Sequence, residues 1–279
     1  MEKVSLILGF FDGVHKGHRD VIKSALCADK TILITFKDSP ALYFGKSFDY
    51  IFPREKSYSI IKSLGVDEIV EHDFSTLAEI TAEDYLESLI KKYSPNSIST
   101  GFNHTFGKGR AGNPDFLKEN QSKYNYKYIC SPACMIEDEI VSSTRIRELL
   151  IEGNIEKANK FLGSNFSLKS TVIHGEMLGR KLGFPTANML YPDNIVKIPY
   201  GVYGVKVMGK SAVLNWGIKP TVNGKSEILE VHIPNYEADL YDLLLEVEII
   251  KKIRDEKKFA NLEELKHQIK KDVEECLKL

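Results

Sequence analysis

The stretch GFFDGVHKGH occupies residues 9–18 and directly follows VSLIL, an apolar run at residues 4–8. The apolar run predicts a buried strand, and the amphipathic stretch HRDVIKSALCA (18–28) predicts a helix after it. Gly9, Gly13 and Gly17 let the backbone between strand and helix turn sharply and approach a ligand closely. This order predicts that residues 9–18 lie at the carboxyl end of a parallel sheet, where such sheets bind ligands.

Strand and helix patterns alternate through the first half of the chain. The strand-like runs are TILITF (31–36), DEIVEHDF (67–74), SIST (97–100) and YKYIC (126–130). The helical patterns are REKSYSIIKSLG (54–65), TAEDYLESLIKKY (81–93), a stretch near 114–124, and two closing segments at 143–153 and 154–163. The alternation predicts a Rossmann-like α/β domain, a parallel sheet with helices on both faces.

The pattern becomes strand-rich in the second half. Short apolar runs between turn residues predict an antiparallel barrel or sandwich. These runs are SLKSTVIHG (167–175), YGVYGVKVMG (200–209), SAVLNWG (211–217), EILEVHIP (227–234) and LLLEVEII (243–250). One amphipathic helix follows at residues 261–279. We therefore expect two domains, residues 1–163 and residues 164–279.

Composition excludes several classes of protein. The 279 residues carry a formal net charge of -1, so no strong electrostatic attraction to nucleic acid or to an anionic membrane is expected. No apolar stretch approaches the about 20 residues that span a bilayer, and the N-terminus lacks a signal-peptide pattern. Four cysteines are too few for a disulfide framework at this length. The sequence therefore predicts a cytoplasmic protein without nucleic-acid or membrane partners.

Two histidines, His15 and His18, flank Gly17 at the start of the predicted helix. Imidazoles and helix N–H groups both donate hydrogen bonds to phosphate oxygens, so the arrangement favours a phosphate site. A pair of surface or capping histidines is the alternative. A zinc site with Cys130 and Cys134 is disfavoured, because C-x3-C is a poor zinc spacing and a third ligand is not evident.

The segment GKGRAG (107–112) matches the dinucleotide-binding pattern G-x-G-x-x-G. That turn requires a strand directly before it and an acidic residue about 20 positions later. Here GFNHTF (101–106) intervenes and the acid is missing. We expect instead a basic loop that carries Lys108 and Arg110 over phosphates.

The segment VSSTRIREL (141–149) begins the next predicted helix. Its hydroxyls can cap the helix, which is the simpler interpretation. Arg145 and Arg147, however, lie in the first turns and oppose the helix dipole. An anionic ligand would relieve that repulsion, so the segment favours a binding role.

The stretches GFFDGVHKGH, GFNHTFGKGR and SSTRIR, in this order, resemble the adenylyltransferase module of the bacterial bifunctional riboflavin kinase/FAD synthetase family. That module belongs to the HxGH nucleotidyltransferases. The resemblance implies that the phosphate of FMN attacks the α-phosphorus of ATP and that pyrophosphate leaves. It implies catalytic, phosphate-binding roles for His15 and His18. The implied ATP site comprises Gly9, Asp12, Gly13, Gly17, Asn103, Ser143, Thr144 and Arg147.

One segment departs from the family pattern. After the second strand the family usually carries one or two acidic residues and then His-Pro, whereas this chain has Lys37, Asp38, Ser39 and Pro40. This segment helps to form the flavin and nucleotide pocket in the family. The sequence therefore does not decide whether this chain adenylylates FMN efficiently. A riboflavin kinase with a weakened or regulatory N-terminal domain is therefore an alternative, and a flavin- or nucleotide-binding regulator without turnover is another.

The segment HGEMLGRKLGFPTANM (174–189) is either a glycine-rich loop or a metal-nucleotide site. The side-chain oxygens of Thr186 and Asn188 are ligands that suit Mg²⁺. Further on, Glu230 alternates with apolar Leu229 and Val231 on a predicted strand. Periodicity alone leaves Glu230 as either a solvent-facing residue or a general base.

The stretches GRKLGFPTAN, PYGVYGV, NWGIKPT, LEVH and IRDEKKF resemble the riboflavin kinase module of the same family, a small closed β-barrel with a C-terminal helix. The resemblance implies that Thr186 and Asn188 coordinate Mg²⁺–ATP. It implies that Glu230 accepts the proton of the riboflavin 5′-hydroxyl as this attacks the γ-phosphate. The implied ATP and flavin contacts are Gly179, Arg180, Gly183, Pro185, Asn215 and Arg254.

The resemblance spans nearly the whole chain. It implies Mg²⁺ as cofactor, ATP as co-substrate, and riboflavin, FMN and ATP as the small-molecule partners. No tightly bound prosthetic group is expected. We expect a monomer or a weak homo-oligomer.

Overall fold

A computed structural model describes residues 2–175, 179, 182–221, 224–236 and 238–279, with the side chains of 219–226 left out of the description. The chain forms two compact units, Met1–Arg145 and Ile146–Leu279. Among the described residues, no helix is long and apolar enough to cross a membrane.

The first unit is built on a five-stranded parallel sheet in the order β3-β2-β1-β4-β5, as the alternating pattern predicts. The strands are β1 (Val4–Leu8), β2 (Lys30–Phe36), β3 (Glu68–His72), β4 (Ser97–Gly101) and β5 (Lys127–Ser131). The central strand β1 buries both faces, because Leu6 and Ile7 point to opposite sides and neither is exposed.

Helices cover both faces of this sheet. They are α1 (Lys16–Ala25), α2 (Pro40–Tyr43), α3 (Arg54–Ser63), α4 (Phe74–Leu77), α5 (Ala82–Tyr93) and α6 (Pro114–Tyr124). Leu6 packs in one cluster with Leu86 of α5 and Leu117 of α6. Ile7 packs in another with Ile22 of α1 and Ile61 of α3. The prediction of helices on both faces is confirmed.

Several short elements were not predicted from the sequence. The one-turn helices α2 and α4 and a small hairpin, β6 (Met135–Ile136) with β7 (Glu139–Ile140), are too short to show a period. The first helix begins at Lys16 rather than at His18 because the His15 side chain caps it. Two further helices, α7 (Ser143–Ile151) and α8 (Ile155–Leu162), follow the hairpin.

The second unit contains a closed, wholly antiparallel barrel in the order β10-β11-β12-β9-β8-β13. Its strands are β8 (Phe166–Ile173), β9 (Ala187–Leu190), β10 (Gly201–Val207), β11 (Lys210–Thr221), β12 (Gly224–His232) and β13 (Leu244–Arg254). Met189, Tyr203, Trp216 and Leu229 are fully buried. The terminal helix α9 (Leu262–Cys276) packs Cys276 against Val202 and Val213. Because its six strands close on themselves, the second unit is a barrel and not a sandwich.

Candidate active sites

The turn between β1 and α1 holds two histidines face to face. His15 is the N-cap of α1, and its Nδ1 accepts a hydrogen bond from the backbone N–H of His18 at 3.3 Å. An Nδ1 atom that accepts carries no proton, so neutral His15 is protonated at Nε2. The two rings stack with centroids 3.6 Å apart and planes 16° apart. Neighbouring Val14 has a φ of 42°, a strained value for a β-branched residue, and such strain clusters at ligand sites.

His18 is held neutral in the absence of an anion. Burial, and then the charge of His15, lower the pKa of His18 well below its ordinary value. Its Nδ1 atom is buried and has no hydrogen-bond partner among the described residues. An unsatisfied ring nitrogen is costly, and a phosphate oxygen would both satisfy it and raise the pKa again.

Asp12 stabilises the turn between β1 and α1 through two hydrogen bonds. Its carboxylate accepts a hydrogen bond from the N–H of Ile51 at 3.1 Å, and its backbone carbonyl accepts one from the Ser143 hydroxyl at 2.8 Å. Gly13 has a φ of 76°, and a Cβ there would lie 2.8 Å from Ile51 Cδ1. Asp12 and Gly13 are therefore buried supports of the turn.

A pocket of about 230 Å³ opens beside the histidines. It brings together six residues predicted from the sequence: His15, Gly17, His18, Asn103, Ser143 and Thr144. Val141 and Ser142 also line it and belong to the segment VSSTRIREL, for which the sequence favoured a binding role. Sequence analysis did not predict the remaining lining residues, which are Val21, Gly101, Phe102, Pro132 and Cys134. Several of these come from loops without a periodic pattern, and only their adjacency to Asn103 or to the SSTRIR segment could have marked them.

The remaining predicted residues of the first site lie elsewhere. Gly9 directly follows β1, and its N–H donates to the carbonyl of Ile34 at 3.2 Å. Arg147 lies on α7 within the second unit, whereas the pocket lining ends at Thr144. Lys108 forms an exposed ion pair with Glu79 at 2.7 Å and does not line the pocket. The absence of a strand directly before residues 107–112 agrees with excluding a dinucleotide-binding turn.

The unusual segment after β2 has a structural role. Ser39 is buried and caps α2, accepting from the N–H of Ala41 at 3.3 Å, while its own N–H donates to the Tyr50 hydroxyl at 3.2 Å. Pro40 occupies the first helical turn, a position that suits its fixed φ. Replacement of the family's histidine by Ser39 is therefore compatible with an ordered turn at this end of the sheet.

A polar row crosses three strands of the barrel. Asn188 on β9 pairs with Glu230 on β12, and Glu230 pairs with Asn215 on β11, so the three side chains share one face. Asn215 Nδ2 donates to Glu230 Oε2 at 3.2 Å. The flanking Leu229 and Val231 point into the barrel and are buried. Glu230 thus faces outward between two amides.

Two glycines make room for the residues predicted to bind metal. A Cβ on Gly175 would lie 2.4 Å from Asn188 Nδ2, and one on Gly179 would lie 2.4 Å from the carbonyl of Phe184 and 3.4 Å from Thr186 Oγ1. Thr186 and Asn188 line a pocket of about 800 Å³. Its lining is Val172, Gly183, Pro185, Thr186, Ala187, Asn188, Val231, Ile233, Tyr236, Ala238, Asp239, Leu240 and Tyr241.

The donor set fits Mg²⁺. Threonine hydroxyl and asparagine carbonyl oxygens are hard ligands, and Mg²⁺ takes few of them besides phosphate oxygens. Among the described residues, neither the Thr186 nor the Asn188 side chain is engaged in a hydrogen bond. The adjacent Pro185 is fixed, because His232 Nδ1 donates to its carbonyl at 2.8 Å.

Arg254 lies at the end of β13 and is held by the terminal helix. Its Nε and Nη2 donate to the buried Asp272 carboxylate at 3.1 and 2.8 Å. Bidentate pairs of this kind are strong and directional. Arg254 does not line the barrel pocket. Arg180 lies outside the described residues.

The chain thus combines a parallel-sheet unit that holds a histidine pocket with a barrel that holds the Asn188–Glu230–Asn215 row, an arrangement that suits an enzyme with two phosphate-binding sites. Residues 1–145 match the family model for FAD synthetase, and residues 162–279 match the model for riboflavin kinase. The chain belongs to the family of bifunctional riboflavin kinase/FMN adenylyltransferases.

Relatives with that name are similar over nearly the full length. The Buchnera aphidicola (subsp. Schizaphis graminum) protein is 37% identical, covering 96% of this chain and 91% of the relative. The Haemophilus influenzae protein is 35% identical, covering 98% and 93%. A crystal structure described as a macrolide-efflux protein of Streptococcus pneumoniae is 30% identical, with a TM-score of 0.88 over 98% of this chain and 93% of that chain.

Proposed function

We infer that this chain makes FMN and then FAD. It phosphorylates riboflavin with ATP to give FMN and ADP, and it adenylylates FMN with a second ATP to give FAD and pyrophosphate. The observation that carries this function is one chain holding both the histidine pocket and the Asn188–Glu230–Asn215 row, in the regions that match the two family models.

We assign the kinase reaction to residues 164–279. Glu230 acts as the general base for the riboflavin 5′-hydroxyl, and the hydrogen bond from Asn215 orients its carboxylate. Thr186 and Asn188 hold Mg²⁺, which supplies neutralisation of charge on the ATP phosphates. Gly183 and Pro185 border the same pocket as Thr186 and Asn188. Nucleotide contacts by Gly179 and Arg180 stay what the resemblance implies, and Arg180 lies outside the described residues. Arg254 acts indirectly, because its contact with Asp272 secures the end of β13 to α9.

We assign adenylyl transfer to residues 1–163. His15 and His18 hydrogen-bond to the phosphates of ATP, together with the N–H groups at the start of α1. Asn103, Ser143 and Thr144 line the same pocket and supply further polar contacts. Gly9, Asp12 and Gly13 support the turn. A role for Arg147, which lies in the second unit, stays what the resemblance implies. Such a reaction needs positioning and charge stabilisation more than covalent chemistry from the protein.

A product time course tests the function. Purified protein is incubated with riboflavin, ATP and Mg²⁺, and riboflavin, FMN and FAD are separated by chromatography. We expect FMN to appear first and FAD to follow. FMN that accumulates without FAD, under oxidising and reducing conditions alike, would establish the alternative of a kinase with a regulatory N-terminal unit. Formation of neither product would refute the assignment.

Other properties stay predictions from the sequence. These are the cytoplasmic location, the monomeric or weakly oligomeric state, and the absence of nucleic-acid and membrane partners. The functional boundary between residues 163 and 164 is likewise a proposal, since the compact units divide between residues 145 and 146.

A further inference from the structure

Cys134 lies on the wall of the histidine pocket. Its Cβ is 3.5 Å from the position that a Cβ on Gly17 would occupy, so the side chain packs against the residue between the two histidines. The protein has four cysteines, all among the described residues, and Cys134 is the one that lines this pocket. Cys27 and Cys130 are exposed, and Cys276 is buried.

An independent observation marks this pocket as a ligand site. His18 lines it, and the His18 Nδ1 atom is buried without a hydrogen-bond partner among the described residues. The pocket volume of about 230 Å³ lies below the about 300 Å³ at which small-molecule sites usually begin. A group added to the sulfur of Cys134 would therefore occupy space that a bound phosphate needs.

We propose that Cys134 is a modification site at which small thiol-directed reagents stop adenylyl transfer while riboflavin phosphorylation continues. This inference rests on the proposed function of the pocket. With a methanethiosulfonate, the Cys134 thiol loses its proton to solvent and the thiolate attacks the sulfenyl sulfur. A disulfide bond to the methylthio group forms, the reagent's S–S bond breaks, and methanesulfinate leaves. A thiol reductant reverses the modification.

The surroundings of Cys134 make it a protected thiol. Burial, followed by the charge of Asp20 and a hydrogen bond to Asp20, raises the pKa of the Cys134 thiol, and Lys16 offsets part of this effect. Because the thiolate is the reactive form, Cys134 reacts more slowly than the exposed cysteines, and labelling is best run at mildly alkaline pH.

The test treats the intact protein with methyl methanethiosulfonate, with and without Mg²⁺–ATP. FAD formation from supplied FMN, FMN formation from riboflavin, and the mass of the Cys134 peptide are followed together. We expect FAD formation to fall about tenfold or more as Cys134 gains the methylthio group, because the phosphates are displaced. We expect FMN formation to persist, ATP to slow labelling of Cys134 but not of Cys27, and dithiothreitol to restore FAD formation.

Cysteine variants show which cysteine causes the loss of FAD formation. Each treated variant is compared with an untreated sample of the same variant. Cys134→Ser, with Cys134→Ala as a second variant, should keep FAD formation after treatment, whereas Cys130→Ser should remain sensitive. Complete labelling of Cys134 with undiminished FAD formation overturns the proposal, as does equal loss in the Cys134 variants. If untreated protein makes FMN but no FAD, the proposed function fails instead. In that case the labelling of Cys134 is read by itself. Labelling that Mg²⁺–ATP slows keeps Cys134 as a modification site in a nucleotide pocket, and labelling that Mg²⁺–ATP does not slow overturns this inference.

Discussion

His104 is a partly buried histidine that the sequence analysis did not single out. Its Nε2 atom is buried and has no hydrogen-bond partner among the described residues, and its ring stacks on Phe106 with centroids 5.8 Å apart. Burial lowers the pKa of His104 to about 4. Folding therefore favours the neutral ring, and this contribution to stability is complete above the ordinary histidine pKa of about 6.5.

The first prediction concerns the pH dependence of stability. As pH falls from about 6.5 towards 4, the unfolded chain binds a proton that folded His104 refuses, so the free energy of unfolding falls by up to about 1.4 kcal/mol per pH unit. His104→Phe should reduce this slope and match or exceed the stability of the unmodified protein near neutral pH, because it removes an unsatisfied nitrogen. Urea unfolding at several pH values measures both effects.

Two other histidines also contribute to the pH dependence of the free energy of unfolding, so His104→Phe should remove only part of it. The pKa values of His18 and His72 are also lowered, mainly by burial, so they act with the same sign. His267→Gln, at an exposed histidine, is the matched control for the loss of a histidine as such. Equal slopes for His104→Phe and the unmodified protein would contradict the role given to His104.

At the scale of elements, strand β9 depends on a glycine outside it. Asn188 on β9 packs its amide against the backbone of Gly175, which follows β8. Neither the strand nor this contact was predicted from the sequence. The apolar signal of β9 covers only four residues, and the pairing of Asn188 with Glu230 depends on a neighbour far along the chain.

The second prediction follows from that contact. Gly175→Ala places a methyl group 2.4 Å from the Asn188 amide nitrogen, so the Asn188 side chain must shift. A displacement of about 1 Å in a positioned group can lower the rate about a hundredfold. We expect FMN formation from riboflavin to fall by about that factor, while FAD formation from supplied FMN is retained.

Gly209→Ala serves as the control for stability. Gly209 lies in the turn between β10 and β11 with a φ of 75°, and a Cβ there would have nothing within 4 Å. Its replacement costs about 1–2 kcal/mol of stability through backbone strain, without moving Asn188. A similar loss of FMN formation in both variants would show that instability, and not the position of Asn188, explains the result.

At the scale of the whole molecule, two compact units each contain one candidate site. The histidine pocket is lined entirely by residues of Met1–Arg145, and the polar row lies within Ile146–Leu279. The two reactions are linked through FMN, which is the product of one and the substrate of the other. Each activity should therefore be removable by itself.

The third prediction uses one variant in each unit. Glu230→Gln removes the general base and should lower FMN formation by about 10² to 10⁴-fold, while supplied FMN is still converted to FAD. His18→Ala removes a phosphate contact and should abolish FAD formation, with FMN formation changed by no more than a few fold. Initial rates with riboflavin and with FMN as separate substrates measure both. Equal loss of both activities in either variant would contradict the division into two sites.

The sequence pattern by itself determined the parallel α/β sheet of the first unit, the antiparallel strands of the second and the order of the main elements, because period and length are local signals. That those antiparallel strands close into a barrel and do not form a sandwich was decided by the strand pairing. The sequence pattern also placed His15, His18 and Gly17 at the start of α1, where chain neighbours suffice. The row of Asn188, Glu230 and Asn215 needed the barrel, since only strand register decides which side chains stand together.

The tertiary structure also decided roles that no local pattern contains. Asp12 and Ser143, 131 positions apart, meet in a hydrogen bond that fastens the histidine turn. Arg254 meets Asp272 across the end of β13, and Cys134 meets Gly17 in the pocket wall. Contacts between residues distant in the chain arise from packing and from hydrogen bonds of buried polar groups, which depend on the whole fold rather than on neighbouring residues.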